Sequence, residues 1–279
     1  MFRDITFGQY YPVKSFVHSM DPRAKLVLSI VYMVGVFLAT SFFGFAFVAL
    51  LLLLMVIASK IPLNMVLKTV KPVLILVVFT AVLNLFFVTD GKVLWHWWII
   101  TITEGGLIFS GRMVLRLLFL VMGASILTLT TTPVDLTHGL EVLMYPLTFI
   151  KFPVHELALI MSIALKFIPN LMDETDRIIR AQKARGADFD TGNIFRRAKA
   201  FIPILIPLLI SSFRRADELA LAMDSRCYGY TTKRTKMKLL KFTYRDLIGT
   251  IIVVIIIAAM ITLNSMKGTL GGIYPWMYI

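Results

Sequence analysis

The chain has 279 residues, 58% of them hydrophobic, with a mean hydropathy of +0.82 and a formal net charge of +13. So apolar a composition excludes an ordinary soluble domain and points to an integral membrane protein. A single cysteine, Cys227, excludes an internal disulfide, and no Cys/His cluster has metal-ligand spacing.

The opening stretch, "MFRDITFGQYYPVKSFVHSMDPRAKLV", is polar and lacks the early apolar core of a signal peptide, so the first apolar run is expected to be a retained span. A bilayer-crossing helix takes about 20 mostly apolar residues. Leu26 to Leu54 is apolar almost throughout and suits two short helices turning at Ser41 to Gly44. Val73 to Val88, Leu107 to Leu129 and Leu247 to Leu263 complete a prediction of five spans. Basic residues set the orientation. With a cytoplasmic N-terminus, 25 lysines and arginines lie inside, and two, Lys92 and Lys267, lie outside. All four tryptophans (Trp95, Trp97, Trp98, Trp276) then fall in the outside segments, as an interfacial belt requires. Contact with the anionic leaflet and with partners accounts for the basic excess without nucleic acid.

Two arginines interrupt the fourth span, Arg112 and Arg116, one turn apart. They form either a polar element at a protein interface or a pair that snorkels toward the outer end.

Residues 131 to 245 separate the last two spans and carry most of the information. In "TTTPVDLTHGLE", Pro133 suits a first helical turn, and the threonines and Asp135 can cap exposed amides. "HELALIMSIALKFIPNLMDETDRIIRAQKARGADFD" begins apolar, passes Pro169 and becomes amphipathic. Leu171, Ile178, Ile179, Ala181 and Ala184 form its apolar stripe, with Asp173, Glu174, Asp176, Arg177 and Arg180 facing elsewhere. After a break at Thr191 and Gly192, "RRAKAFIPILIPLLISSFRRADELALAMDSRCYGY" repeats the plan with Pro203 and Pro207. The prolines predict two pairs of helices, each a bent or in-plane apolar start followed by a polar end.

Aligning Arg185 on Arg226 also brings Asp176 onto Asp217 and Ala181 onto Ala222. A cation in a last helical turn is favoured by the helix dipole, and a glycine nearby stops the helix. Gly186 follows Arg185 directly, whereas Gly229 stands three residues after Arg226 and is expected to take over that role. The dipole does not explain why one frame occurs twice.

Some chemistries are missing. No phosphate-binding G-x-x-x-x-G-K-[ST], G-x-S-x-G or H-E-x-x-H pattern is present, and the four histidines (His18, His96, His138, His155) are scattered interfacial residues. The spans hold almost no ionisable groups beyond the two arginines, so an ion-coupled carrier is poorly supported. Energy would come from other subunits, and two cationic helix ends suit insertion into grooves on soluble partners.

The chain resembles, over nearly its whole length, the transmembrane T component of energy-coupling factor transporters, the family that includes the cobalt-transport protein CbiQ. "DPRAKL" at 21 to 26 resembles the family's N-terminal signature and "TTPVDLTHGLE" at 131 to 141 its central one. Ala184, Arg185 and Gly186 are similar to the first Ala-Arg-Gly motif, and Ser225, Arg226 and Cys227 to the second, with cysteine in place of glycine.

The resemblance implies an all-α integral membrane protein of about five spans with long cytoplasmic coupling helices, in a bacterial or archaeal cell membrane. Its divisions would be an N-terminal membrane region 1–130, a coupling region 131–245 and a final span 246–279. It also implies a non-catalytic subunit that binds no cofactor. ATP and Mg would be bound by two partner ATPase subunits, on which Arg185 and Arg226 dock. A membrane-embedded S component would bind the vitamin or transition-metal ion and rest on the apolar halves of the coupling helices. Fifteen methionines suit a surface that repacks against different partners, and equally suit the filling of membrane helices. The alternative is a permease of another ABC importer class, which would line its own path and need one coupling element per chain.

Overall fold

A computed structural model describes residues 10–88, 92–97, 100–187, 194–229, 240 and 242–265. The break at Thr191 and Gly192 and the residues Trp98 and Trp276 lie outside them. The chain divides into two units: one holds 155 to 240, the other the preceding membrane helices and the final helix.

In the membrane unit, Asp21 accepts from the amide of Arg23 at 2.9 Å and, with Pro22 in the first turn, starts α1 (Pro22–Leu38). α2 (Phe42–Ser59) begins at the Ser41 cap and is closed by Lys60 in the left-handed region, φ 55°. The apolar run is therefore two helices, as its length predicts, but the turn falls at 39–41, and α2 continues past Leu54. A short α3 (Leu63–Val70) bends by 58° into α4 (Leu74–Phe87).

Between α4 and α5 (Glu104–Thr130) lies a hairpin of β1 (Val93–Trp97) and β2 (Ile100–Thr103), paired antiparallel with Trp95 opposite Ile102. The expected all-α architecture holds, and this short hairpin is a local addition to it. "VLWHW" and "ITIT" are rich in aromatic and β-branched residues, which fit a pleated strand. α6 (Pro133–Leu143) and a 3₁₀ turn (Tyr145–Ile150) follow, and α9 (Tyr244–Ser265) closes the unit.

Its core lies where α1, α2, α5 and α9 meet: Tyr32, Val36, Val48, Leu52, Val56, Ile126, Leu129, Val253 and Met260 are all buried. α4 buries only Val77 and leaves Ile75 79% and Phe87 80% exposed. In water such a surface would aggregate; in a bilayer it is the lipid-facing side. By length and composition α2, α5, α7 (Val154–Ala184) and α9 can cross a membrane, as can the bent α3–α4 pair taken as one span. α7 qualifies through its apolar first half, although the sequence pattern assigns it to the in-plane region.

One end of this unit is a polar knot. The Asp246 carboxylate, 1% exposed, accepts from the amide of Asp21 through Oδ1 and from that of Thr243 through Oδ2, both at 2.7 Å. The bond from the Thr243 amide is the acid-to-N-cap half of a capping box for α9, and the amide of Asp246 donates to the Thr243 carbonyl at 2.9 Å, closing the first turn. Lys25 Nζ donates to the carbonyls of His18 and Thr130, at 3.2 and 3.1 Å, so a buried ammonium satisfies an orphan carbonyl at the end of α5. Thr132 caps α6 by accepting from the Asp135 amide at 3.2 Å, with Pro133 in the first turn as predicted. Gly139 of α6 lies so close to α1 that an added Cβ would stand 3.2 Å from both Pro22 and Leu26. The stretches 21–26 and 131–141, far apart in sequence, are thus parts of one packed joint.

Candidate functional site

The second unit is built on α7 and α8 (Ile194–Asp224), each continuous for 31 residues. The prolines do not divide them into the predicted helix pairs. Pro169, Pro203 and Pro207 all lie inside helices, and the apolar and charged halves share one axis. An interior proline removes one hydrogen bond, and the carbonyl four residues earlier needs another donor. For Pro207 that carbonyl belongs to Pro203, and Gln182 Nε2 of α7 donates to it at 3.5 Å.

A second bond joins the same helices. Glu174 accepts from Ser211 Oγ at 2.6 Å and from the Arg215 guanidinium. Glu174, a polar residue outside the predicted apolar stripe, therefore faces α8. The contacts 174 with 211 and 182 with 203 run in opposite senses, so α7 and α8 are antiparallel where they touch. Ile204, Leu208, Ser211, Arg215 and Leu219 form the covered or half-covered stripe of α8 at helical spacing. Leu205, Leu209, Phe213 and Leu221 remain 59%, 60%, 63% and 70% exposed. Asp176 and Asp217, nine residues before each arginine, form no ion pair among the described residues.

The two helix ends answer why one frame occurs twice. At the end of α7 the amide of Gly186 donates to the Lys183 carbonyl and that of Ala187 to the Gln182 carbonyl, both at 3.0 Å, with Gly186 at φ +86°. At the end of α8 the amide of Cys227 donates to the Asp224 carbonyl at 2.9 Å and that of Tyr228 to the Met223 carbonyl at 3.0 Å, with Cys227 at φ +55°. These are two copies of one Schellman closure, with the arginine in the same cap position of each. Ala184, Arg185 and Gly186, and likewise Ser225, Arg226 and Cys227, are all exposed. Among the described residues neither guanidinium has a hydrogen bond or ion pair, and none joins one tip to the other. The arrangement presents two cations on helical stems with their binding capacity unused by the described residues.

Cys227 itself is the stop, so the expected transfer of that role to Gly229 does not occur. Gly229 also has positive φ, +105°, two residues further on. A side chain in the left-handed region costs roughly 1–2 kcal/mol, partly offset by the roughly 0.5–1 kcal/mol of entropy that glycine loses on folding. Cys227→Gly is therefore expected to leave the unfolding midpoint unchanged or raise it slightly, whereas Cys227→Val, β-branched at positive φ, lowers it. Thermal unfolding of the purified chain in detergent checks both.

The family described as cobalt transport protein, CbiQ, matches residues 13–238, a range that includes both arginine tips and both signature stretches. Among curated relatives, the energy-coupling factor transporter transmembrane protein EcfT of Ruminiclostridium cellulolyticum is 50% identical over 255 residues, covering 91% of this chain and 95% of its own. EcfT of Clostridium kluyveri is 48% identical, covering 92% and 96%. EcfT of Staphylococcus aureus is 44% identical, covering 88% and 91%. This chain belongs to the CbiQ/EcfT family.

It is accordingly a membrane component of an energy-coupling factor transporter, and its similarity to EcfT relatives extends over nearly their full length. The match to CbiQ ends before Asp246, the residue that closes the knot of this family member and that patterns of motif spacing miss. "TYRD" at 243 to 246 is nonetheless a threonine-x-x-acid capping box ahead of an apolar run, a local signal that could have found it. No such local signal marks Glu174, Arg215 or Gln182 as the joint between α7 and α8.

Proposed function

We propose that this chain transmits force from two cytoplasmic ATPase subunits to a membrane-embedded S component, and so drives uptake of a vitamin or transition-metal ion without binding that solute or ATP itself. One observation carries the reading: two identical helix closures, each presenting an exposed arginine with no partner among the described residues. A guanidinium on a rigid backbone closure can form charge-assisted, bidentate bonds to an acidic group with little ordering cost. Two such tips in one chain match two ATPase subunits, whereas a permease that lines its own path needs one. Closure of the ATPases around nucleotide would move both stems. The bonds from Glu174 and Gln182 would keep the stems moving together. The exposed apolar side of α8 would give the S component its seat.

The reading places the N-terminus and both tips in the cytoplasm. Cys227 is the only cysteine, is exposed, and adjoins Arg226, so the native chain reports on this without mutation. A membrane-impermeant maleimide is expected to label it in inside-out vesicles and not in right-side-out ones. Purification from the native membrane should also bring down two different or duplicate ATPase chains. Labelling from the external side, or uptake by vesicles holding no ATPase, would defeat the proposal.

A further inference from the structure

Arg112 and Arg116 lie one turn apart on α5 and are half-buried. Arg116 Nη2 donates to the Ala39 carbonyl at 3.0 Å, in the α1–α2 turn, and its guanidinium lies 5.9 Å from the Phe37 ring centroid. Arg112 makes no hydrogen bond or ion pair among the described residues, and the Nε atoms of both arginines lack partners. No carboxylate among the described residues pairs with either. The one acid on α5, Glu104, stands about two turns from Arg112 toward the start of the helix. Two positive charges with unused donors therefore share one patch.

Depth decides what can meet them. At 1.5 Å per residue, Arg116 and Arg112 stand about 21 and about 27 Å from Thr130, which sits in the polar knot. Ala39 stands about 27 Å from Asp21, which sits in the same knot. A hydrocarbon layer is about 30 Å thick. Helical side chains lean toward their own N-terminus, and the N-terminus of α5 is at the end away from the knot. The guanidiniums are thereby carried further toward the membrane surface, and the bond from Arg116 to Ala39 records that direction. Phe37 and Phe42, 60% and 73% exposed beside the turn, offer apolar surface to acyl chains just below. The anion abundant at that level is the lipid phosphodiester, whose oxygens match the guanidinium fork.

We propose that Arg112 and Arg116 hold the phosphate of a phospholipid in the leaflet at the α1–α2 turn, with Arg116 fixed by Ala39 and Arg112 presenting the open donors. An anionic headgroup is preferred over a zwitterionic one because no acid among the described residues pairs with the two arginines or is placed to receive a choline. Arg112 has no hydrogen bond or ion pair to lose among the described residues, so Arg112→Gln should fold as the wild type does, and an unchanged unfolding midpoint verifies that.

The test is native mass spectrometry of the delipidated full-length chain, titrated with dioleoylphosphatidylglycerol, with dioleoylphosphatidylcholine, and with inorganic phosphate as competitor. The first phosphatidylglycerol is expected to bind the wild type more tightly than phosphatidylcholine. Arg112→Gln should weaken it about tenfold, Arg112→Lys should weaken it less, and phosphate should not displace it. Equal phosphatidylglycerol affinity in wild type and Arg112→Gln would overturn the proposal. So would displacement by inorganic phosphate, or loss of a protein partner from Arg112→Gln with lipid affinity unchanged.

Discussion

Replacing both Arg185 and Arg226 with glutamate is expected to abolish uptake and to remove the ATPase subunits from the purified complex, while the chain still inserts and folds. A hydrogen bond to a charged group contributes about 1.5–3 kcal/mol, so losing one at each tip lowers ATPase affinity on the order of 10³-fold, and charge reversal lowers it further. The fold should survive because the two closures are made by backbone groups, and neither guanidinium is engaged by a described residue. Placing glutamate in a last turn opposes the helix dipole by about 0.3–1 kcal/mol, a local effect too small to unfold a 31-residue helix. The arginine-to-glutamine pair, free of that opposition, should lose coupling as well, though less completely. Wild-type uptake by the glutamate double variant, measured in vesicles with the full complex, would sink the docking assignment.

The second large effect is expected at Asp246, outside the coupling unit. Asp246→Ala removes the acceptor of two backbone amides, Asp21 and Thr243, in a place where Asp246 is 1% exposed. An unsatisfied buried donor costs about 1–3 kcal/mol, and a lost helix cap about 1 kcal/mol. The sum lowers the unfolding midpoint on the order of 10 °C. Asp246→Asn keeps an oxygen for only one of the two amides and should fall between. Circular dichroism melts in detergent distinguish the three chains. An Asp246→Ala midpoint equal to wild type would show that the knot does not hold the helix ends together. The joint also holds Lys25, Thr130 and, through Gly139, α6, so loosening should reach the start of the segment leading to α7.

Much of the candidate site was legible because it is local. A Schellman closure involves six consecutive residues, and a repeat of arginine at one cap position leaves a trace in the sequence as a shared frame. The substitution of Cys227 for glycine misled in a specific way: glycine is the usual left-handed residue, and the nearest one, Gly229, was the natural candidate to stop the helix. Backbone hydrogen bonds chose Cys227 instead, since the amides of Cys227 and Tyr228 are the ones placed to reach the orphan carbonyls. The proline-based division of α7 and α8 failed for a related reason. A missing interior bond costs a helix a few kcal/mol, and a donor from a neighbouring helix, here Gln182, can compensate.

By itself, then, the sequence determined what depends on composition and near neighbours: a membrane-spanning helical chain, the split of its first apolar run, the threonine cap ahead of Pro133, and two equivalent cationic helix ends. Only the tertiary structure decided which distant groups share a hydrogen bond. Asp246 meets Asp21 across a separation of 225 residues, Lys25 meets Thr130 across 105, and Glu174 meets Ser211 across 37. Residue spacing encodes contacts within a turn or two of helix, whereas these pairs exist only because packed helices bring their ends to the same depth and their faces to the same axis.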